Sequence, residues 1–138
     1  MATCYITRKE YFNAAHRLSR ADWSDEKNEE VFGKCANKNW HGHNFTLYVT
    51  VKGTPDPETG FIIDLKVLSG LIKEVVIDKL DHKNLNLDVD FMQGKMPSIE
   101  NIISEIWKQL QPRIKGGTLH SLKLIETEQN SVEYFGEE

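Results

Sequence analysis

The sequence predicts an α+β fold in which a four-stranded antiparallel sheet carries two helices on one face. Two segments near each end of the chain are rich in β-branched and aromatic residues or alternate between apolar and polar residues, as strands do. Between them lie two segments whose apolar residues recur every three or four positions, which is typical of amphipathic helices. The resulting order, ββααββ, leaves the second face of the sheet open, so we expect another surface to cover it.

The strands are predicted from their side-chain patterns and from the turns that bound them. Residues 5–18 have no helical period, and residues 41–53 alternate so that every second side chain shares one face. The segment TPDPETG has the composition of a turn, and residues 61–64 (FIID) after it are predicted to return as a strand. Residues 118–128 and 131–135 predict a closing hairpin.

Two long helices are predicted from apolar stripes and end signals. The first runs from Asp64 to about Leu80, and its apolar face is Leu65, Leu68, Ile72, Val75, Val76 and Lys79. Ser98 caps the second, which ends before Pro112. In the polar stretch 19–40, the segment SDEKNEEVF predicts a short helical turn that begins at Ser24 or Asp25.

Length and composition narrow the class of protein. A chain of 138 residues with 39% hydrophobic and 28% charged residues predicts one domain, residues 1–138. The net charge of −4 argues against a nucleic-acid partner, and no apolar run reaches membrane-spanning length. The first residues lack a signal-peptide core, so we expect a cytoplasmic protein whose two cysteines, Cys4 and Cys35, are free thiols.

Three histidines are the strongest sign of a functional site. His41 and His43 stand two apart on a predicted strand and therefore point to one side, and Gly42 between them allows close backbone approach. His16 reaches the same place if the first two strands pair. Three imidazoles with a fourth position open are typical of catalytic zinc, although His-x-His pairs also occur as ordinary surface residues. We expect His120 to be structural.

Cys35 stands six residues before His41 in a polar loop rich in glycine and asparagine. This setting differs from that of a buried structural cysteine, and it leaves three interpretations open: a fourth zinc ligand, a nucleophile or base, or an exposed thiol. A nearby cation would lower the thiol pKa and favour the base. Cys4 has no such neighbours and is expected to be inert.

Four further polar residues each have an ordinary structural explanation, and for two of them a catalytic role is also open. Asp81 and His82 stand at the predicted end of the first long helix, where histidine suits the helix dipole and where an aspartate can also orient a catalytic histidine. Glu126 stands at the end of a predicted strand before a turn, where a solvated hairpin carboxylate is the ordinary explanation. Glu100, in the first turn of the second long helix, is explained by the helix dipole alone.

Taken together, the chain resembles the 6-pyruvoyl-tetrahydropterin synthase family over almost its whole length. The segments that carry the resemblance are, in order, FNAAHRL, FGKCANKNWHGHNFTL, DPETGFIIDL, LDHKNLNLD, PSIEN and LIETEQNSVEY. The resemblance implies the tunnelling fold, in which trimers close a twelve-stranded barrel and two trimers stack into a homo-hexamer. Such a barrel would cover the open face of the sheet.

The resemblance also implies the roles of eight residues. His16, His41 and His43 match the zinc ligands, and Cys35, Asp81 and His82 match the catalytic triad. Glu126 matches the carboxylate that anchors the guanidine-like edge of the pterin, and Glu100 matches an acid near the pterin. The implied substrate is 7,8-dihydroneopterin triphosphate, which loses triphosphate and rearranges without a redox cofactor, in a step of tetrahydrobiopterin biosynthesis.

The chain departs from the family pattern at three positions near these groups. Ser98 stands for the usual threonine and is followed by Ile99, and Trp40 replaces a small residue before HGH. The closest competitor is the 6-carboxy-tetrahydropterin synthase of queuosine biosynthesis, whose cysteine stands in a CxxxHGH pattern. Here five residues, ANKNW, separate Cys35 from His41, which matches the pyruvoyl branch.

From these residues we expect Cys35 to act as a base beside the zinc, without being a permanent ligand, because a thiolate bound to zinc is a weaker base. Two interpretations from other classes remain. A non-catalytic zinc- or pterin-binding oligomer has no need of Cys35, Asp81 and His82. A metal-free structural domain has no need of three converging histidines.

Overall fold

Four of the five strands form the predicted antiparallel sheet. The computed structural model describes residues 2–138, and the strand order is β3–β1–β2–β4–β5. The strands are β1 (Cys4–His16), β2 (His41–Gly53), β3 (Lys83–Asn84), β4 (Thr118–Ile125) and β5 (Ser131–Tyr134). The antiparallel β4–β5 ladder confirms the predicted closing hairpin, and β1 pairs with β2 as the histidine argument requires. The antiparallel β2–β4 ladder was not predicted.

The β1–β2 ladder is the longest strand pairing in the sheet, and its register sets the positions of the histidines. Cys4 lies opposite Gly53 at one end, and His16 lies opposite His41 at the other. The predicted alternation of β2 buries Phe45, Leu47, Val49 and Val51 completely, and β1 buries Phe12 and Ala14 on the same face. The polar ends of both inward rows therefore meet at one end of the sheet.

The prediction of a strand at residues 61–64 is wrong. At the end of β2 that precedes the turn, β2 already pairs with β1 on one side and with β4 on the other, so no edge is left there for a returning strand. Asp64 instead caps the following helix, and its side chain accepts the N–H of Lys66 at 2.8 Å. The aliphatic residues of this segment, Ile62 and Ile63, pack against the core as a loop.

The short strand β3 was not predicted. It pairs in parallel with Ala14 and Ala15 on the outer edge of β1, and the buried Leu85 follows it. A strand of only two residues is too short to show an alternating pattern, so the sequence gives no signal for it. Its pairing nevertheless fixes the preceding Asp81 and His82 beside β1.

The helices begin where their caps predict. Helix α1 (Asp25–Phe32) is capped by Ser24, and α4 (Ile99–Leu110) by Ser98. The predicted helix from Asp64 to Leu80 is continuous but contains three parts: α2 (Leu65–Ile72), a π-helical turn (Lys73–Ile77) and α3 (Asp78–Leu80). Its buried apolar residues are Leu68, Ile72, Val76 and Leu80, whereas the predicted Leu65 and Lys79 are exposed.

One core lies between the sheet and the long helices. The inward side chains of the strands meet the apolar stripes of α2, α3 and α4, with Ile102, Ile106 and Leu110 fully buried. The Phe12 and Phe45 rings stack with centroids 4.8 Å apart. Within residues 2–138, no helix has the length and apolar character needed to cross a membrane.

The opposite face of the sheet carries polar and aromatic side chains. The Thr7 and Thr50 hydroxyls hydrogen-bond across β1 and β2 at 2.7 Å, and Lys9 lies over the rings of Tyr11 and Tyr48. Among residues 2–138, residues 4–12 of β1 have no strand partner on the side away from β2, and β5 pairs only with β4. The single chain therefore presents two free sheet edges.

Candidate metal centre and its pocket

The three histidines meet at one end of the β1–β2 ladder, as predicted. His16 and His41 are directly opposed, and His43 follows two residues later on the same face. Their ring centroids are 4.5 Å apart for His16–His41, 5.1 Å for His16–His43 and 5.0 Å for His41–His43. One ligand atom from each residue lies within 4.8 Å of the other two.

The polar atoms of this cluster fit a metal ion. His16 Nε2 and His41 Nδ1 are buried and have no hydrogen-bond partner, which is costly unless another group satisfies them. Burial lowers the pKa of His16, His41 and His43, so the rings are neutral at physiological pH and able to ligate. Three neutral nitrogens are a donor set that zinc accepts well.

His16 is the most constrained ligand of the three. Its side chain is 1% exposed, and its Nδ1 lies 2.8 Å from the backbone oxygen of Pro97. A carbonyl can only accept, so the Nδ1 atom carries the proton and Nε2 presents its lone pair to the cluster. The Pro97 carbonyl therefore sets the tautomer that a metal ligand requires.

Two hydrogen bonds tie the loop of Cys35 to the end of β1, on the side of His16. The loop forms a 3-10 turn (Gly33–Ala36), in which the Cys35 oxygen accepts the Leu18 N–H at 2.8 Å and the Ala36 oxygen accepts the Arg17 Nε–H at 2.9 Å. Cys35 and His16 line one cavity of about 410 Å³. Within residues 2–138, the cluster of mutually close ligand atoms comprises only the three histidines.

The two predicted carboxylates line the same cavity. Glu100 comes from the first turn of α4, and Glu126 from the hairpin turn after β4. The Glu126 Oε2 atom lies 3.7 Å from His16 Nε2 and 3.8 Å from His43 Nε2, too far for a hydrogen bond but directly beside the ligand atoms. Gln129 and Asn130 complete this side of the cavity.

Asp81 and His82 form a pair, but they do not line this cavity. The His82 Nδ1 and Asp81 Oδ2 atoms are 3.0 Å apart, and the Asn13 N–H donates to the other Asp81 oxygen at 2.8 Å. That N–H bond is the main reason why the pKa of Asp81 lies below its usual value. His82 has a φ of 60° and an 82% exposed side chain, and Asp81 lines a separate cavity with Asn13 and Asn44.

Two groups that hold the site were missed by the sequence analysis. One is the Pro97 carbonyl, a backbone atom with no sequence signal of its own. The other is Asn86, whose side chain bonds both the N–H and the oxygen of Arg17, at 2.9 Å each, immediately after His16. The sequence signal that could have identified Asn86 is its position in LDHKNLNLD, one of the segments that carry the family resemblance. His120 contacts Tyr5 and Phe135, outside the histidine cluster.

The sequence is similar to known proteins over almost its whole length. The protein-family model described as 6-pyruvoyl tetrahydropterin synthase matches residues 5–137. The 6-pyruvoyl tetrahydrobiopterin synthase of Homo sapiens is 42% identical over 132 residues, which cover 96% of this chain and 91% of the human protein. The 6-carboxy-5,6,7,8-tetrahydropterin synthase of Synechocystis is 32% identical over 136 residues, covering 95% and 93% of the two chains.

A solved structure agrees with the fold. The 6-pyruvoyl tetrahydropterin synthase of Caenorhabditis elegans superposes with a TM-score of 0.92 at 35% identity, covering 99% of this chain and 98% of that chain. The topology and the histidine pocket thus define an enzyme domain of the tunnelling fold. The chain belongs to the 6-pyruvoyl tetrahydropterin synthase family.

Proposed function

We propose that the protein is a zinc-dependent 6-pyruvoyl-tetrahydropterin synthase. It converts 7,8-dihydroneopterin triphosphate to 6-pyruvoyl-tetrahydropterin and releases triphosphate, a step of tetrahydrobiopterin biosynthesis. The observation that carries this proposal is the cluster of three neutral histidines with orphaned buried nitrogens, of which His16 lines one cavity with Cys35. The spacing of five residues between Cys35 and His41 favours this reaction over the 6-carboxy branch.

The metal is held by His16, His41 and His43. The orphaned buried atoms support Nε2 of His16 and Nδ1 of His41 as the ligand atoms of these two residues. Zinc bound there supplies Lewis-acid polarisation of the oxygen atoms of the substrate side chain. The protein contributes rigidity, since His16 is fixed by Pro97 and both strands are locked in one long ladder.

Cys35 is the base that removes a proton from the substrate side chain next to the pterin ring. Its half-buried thiol opens on the cavity, and its backbone is fixed by the bond from Leu18, so the sulfur is positioned for a proton transfer. Because Cys35 is not part of the histidine cluster, its sulfur is free to take up a proton rather than being held as a metal ligand. Cys4 and Cys35 are both free thiols, which suits the reducing cytoplasm that we propose as its location.

Glu126 and Glu100 bind the pterin. Each carboxylate can pair with the guanidine-like edge of the ring through two charge-assisted hydrogen bonds. We assign the anchoring role to Glu126, which lies deeper in the cavity with an 18% exposed side chain, and a supporting role to Glu100 at the exposed start of α4.

Asp81 and His82 complete the catalytic machinery from a neighbouring subunit. The cavity that Asp81 lines shares no lining residue with that of Cys35, and the imidazole of His82 is exposed at the edge of β1. A pair in this position acts on another copy of the chain if the sheets join edge to edge. The Asp81 carboxylate then orients His82 for proton relay.

The free edges support a homo-hexamer built from two barrel-forming trimers. Unpaired edge strands recruit partners unless they are covered, and here both the β1 and the β5 edges are open in the single chain. We expect sedimentation-equilibrium ultracentrifugation at micromolar concentration to report six chains per particle, or three at the least. A stable monomer would contradict the proposed assembly.

The experiment that tests the proposed reaction is product identification by mass spectrometry. The zinc-loaded protein is incubated with 7,8-dihydroneopterin triphosphate under anaerobic conditions. The expected products are 6-pyruvoyl-tetrahydropterin and one equivalent of triphosphate. Formation of 6-carboxy-tetrahydropterin, or binding of the substrate without turnover, would replace this proposal with the alternative enzyme or with a binding protein.

A further inference from the structure

The carboxylate of Glu105 on α4 is buried, although it does not line the catalytic cavity. The residue is 3% exposed, and its carboxylate is bonded by the ammonium groups of Lys95 and Lys108, the latter at 2.9 Å. Burial alone would raise the pKa of Glu105, but the hydrogen bonds from both lysines lower it below the usual value. The carboxylate is therefore charged, and removing a partner from such a group is costly.

The two lysines join different parts of the chain. Lys108 lies three residues after Glu105 on the same helix, so this ion pair connects α4 only to itself. Lys95 lies in the segment before the helix, so its ion pair fastens that segment to α4. Lys95 stands two residues before Pro97, whose carbonyl accepts the Nδ1–H of His16 at 2.8 Å.

The segment around Pro97 is otherwise held from its two ends. Asn101 donates to the Met96 oxygen at 2.8 Å, and Ser98 caps α4. On the other side, the Gln93 side chain donates to the Val89 oxygen at 3.1 Å. Between these anchors lie the exposed residues Gly94 and Lys95, where the Lys95 N–H donates to the Met92 oxygen at 3.1 Å. The Lys95 ammonium also binds the buried carboxylate of Glu105, which ties this stretch directly to α4.

We propose that the Lys95–Glu105 ion pair positions the Pro97 carbonyl and thereby holds the His16 ring in its metal-binding orientation. This inference rests on the proposed zinc site. Hydrogen bonds weaken steeply as their length and angle change. If the segment at Lys95 moves, the Pro97 carbonyl moves with it, and its hydrogen bond to the His16 ring weakens. Partners of this kind on metal-bound histidines contribute roughly 10–100-fold to metal affinity. Lys95 and Glu105 are thus positioning residues for the metal.

The test is the zinc affinity of Lys95→Met, measured by competition with a chromophoric chelator in the absence of substrate. We expect zinc binding about 10-fold weaker than in the unsubstituted protein, and shifted d–d bands in the cobalt-substituted variant. Lys108→Met is the matched control, because it removes the other lysine from the same carboxylate and should leave zinc affinity and the cobalt spectrum unchanged. Lys95→Arg should restore both, since a guanidinium also pairs with the carboxylate.

Glu105→Gln provides a second variant, which keeps the side-chain shape and removes the charge. It is expected to weaken zinc binding by a factor similar to that of Lys95→Met. Zinc affinity unchanged in Lys95→Met and Glu105→Gln would overturn the inference, and so would an equal loss in Lys108→Met, which would indicate a general effect on stability. If the unsubstituted protein bound no zinc, the proposed function itself would fail.

Discussion

His41→Ala is expected to lose zinc and, with it, measurable turnover, while the protein stays folded and oligomeric. His41 is the first residue of β2, and the apolar core of that strand begins four residues later at the fully buried Phe45. The substitution therefore removes one of three metal ligands without opening a cavity in the core. We expect zinc binding to weaken by more than the roughly 10–100-fold that loss of an outer hydrogen bond to a ligand causes.

The zinc content of the dialysed variant, measured by inductively coupled plasma mass spectrometry, checks this expectation. His120→Ala is the matched control, since His120 is also a strand histidine but contacts only Tyr5 and Phe135 among aromatic residues. It should retain one zinc per chain and normal turnover. Full zinc occupancy in His41→Ala would remove the basis of the three-histidine assignment.

Cys35→Ala is expected to slow proton abstraction by roughly 10²–10⁴-fold, the usual contribution of a positioned general base. Zinc and substrate binding should persist, because the histidine cluster and Glu126 are untouched and the Cys35 backbone bond to Leu18 does not depend on the side chain. Cys35→Ser should recover little activity, since a hydroxyl does not ionise near neutral pH. Single-turnover kinetics at saturating substrate separate the chemical step from binding.

Cys4→Ala is the control for the thiol. Cys4 is exposed at the start of β1, at the end of the ladder opposite to the histidines, and its substitution should leave the rate unchanged. An unaltered single-turnover rate in Cys35→Ala would refute the base role. Loss of zinc in that variant would show that Cys35 is a ligand.

Much of the metal site could be predicted from the sequence because it depends on strand periodicity. Alternation in residues 41–53 placed His41 and His43 on the face of Phe45, and the pairing of β1 with β2 then brought His16 opposite His41. Such a register follows from burying one apolar face, since a slip by one residue would expose it. The helix caps at Ser24 and Ser98 were equally local and are confirmed.

The predictions that failed or were missing depend on contacts between distant parts of the chain. Residues 61–64 are apolar enough for a strand, but both edges of β2 are occupied by β1 and β4, which no local pattern reveals. The Pro97 carbonyl is 81 residues from His16 in the chain. The separation of the Asp81–His82 pair from the Cys35 cavity likewise follows from the parallel pairing of β3 with β1.

The most direct test of the central claim, that three histidines hold zinc while Cys35 stays free as a base, is zinc X-ray absorption spectroscopy of the zinc-loaded, substrate-free protein. We expect three nitrogen ligands at about 2.0–2.1 Å with a remaining oxygen ligand at a similar distance, and an identical spectrum for Cys35→Ala. A sulfur ligand at about 2.3 Å that disappears in Cys35→Ala would make the thiol part of the metal site and contradict the account.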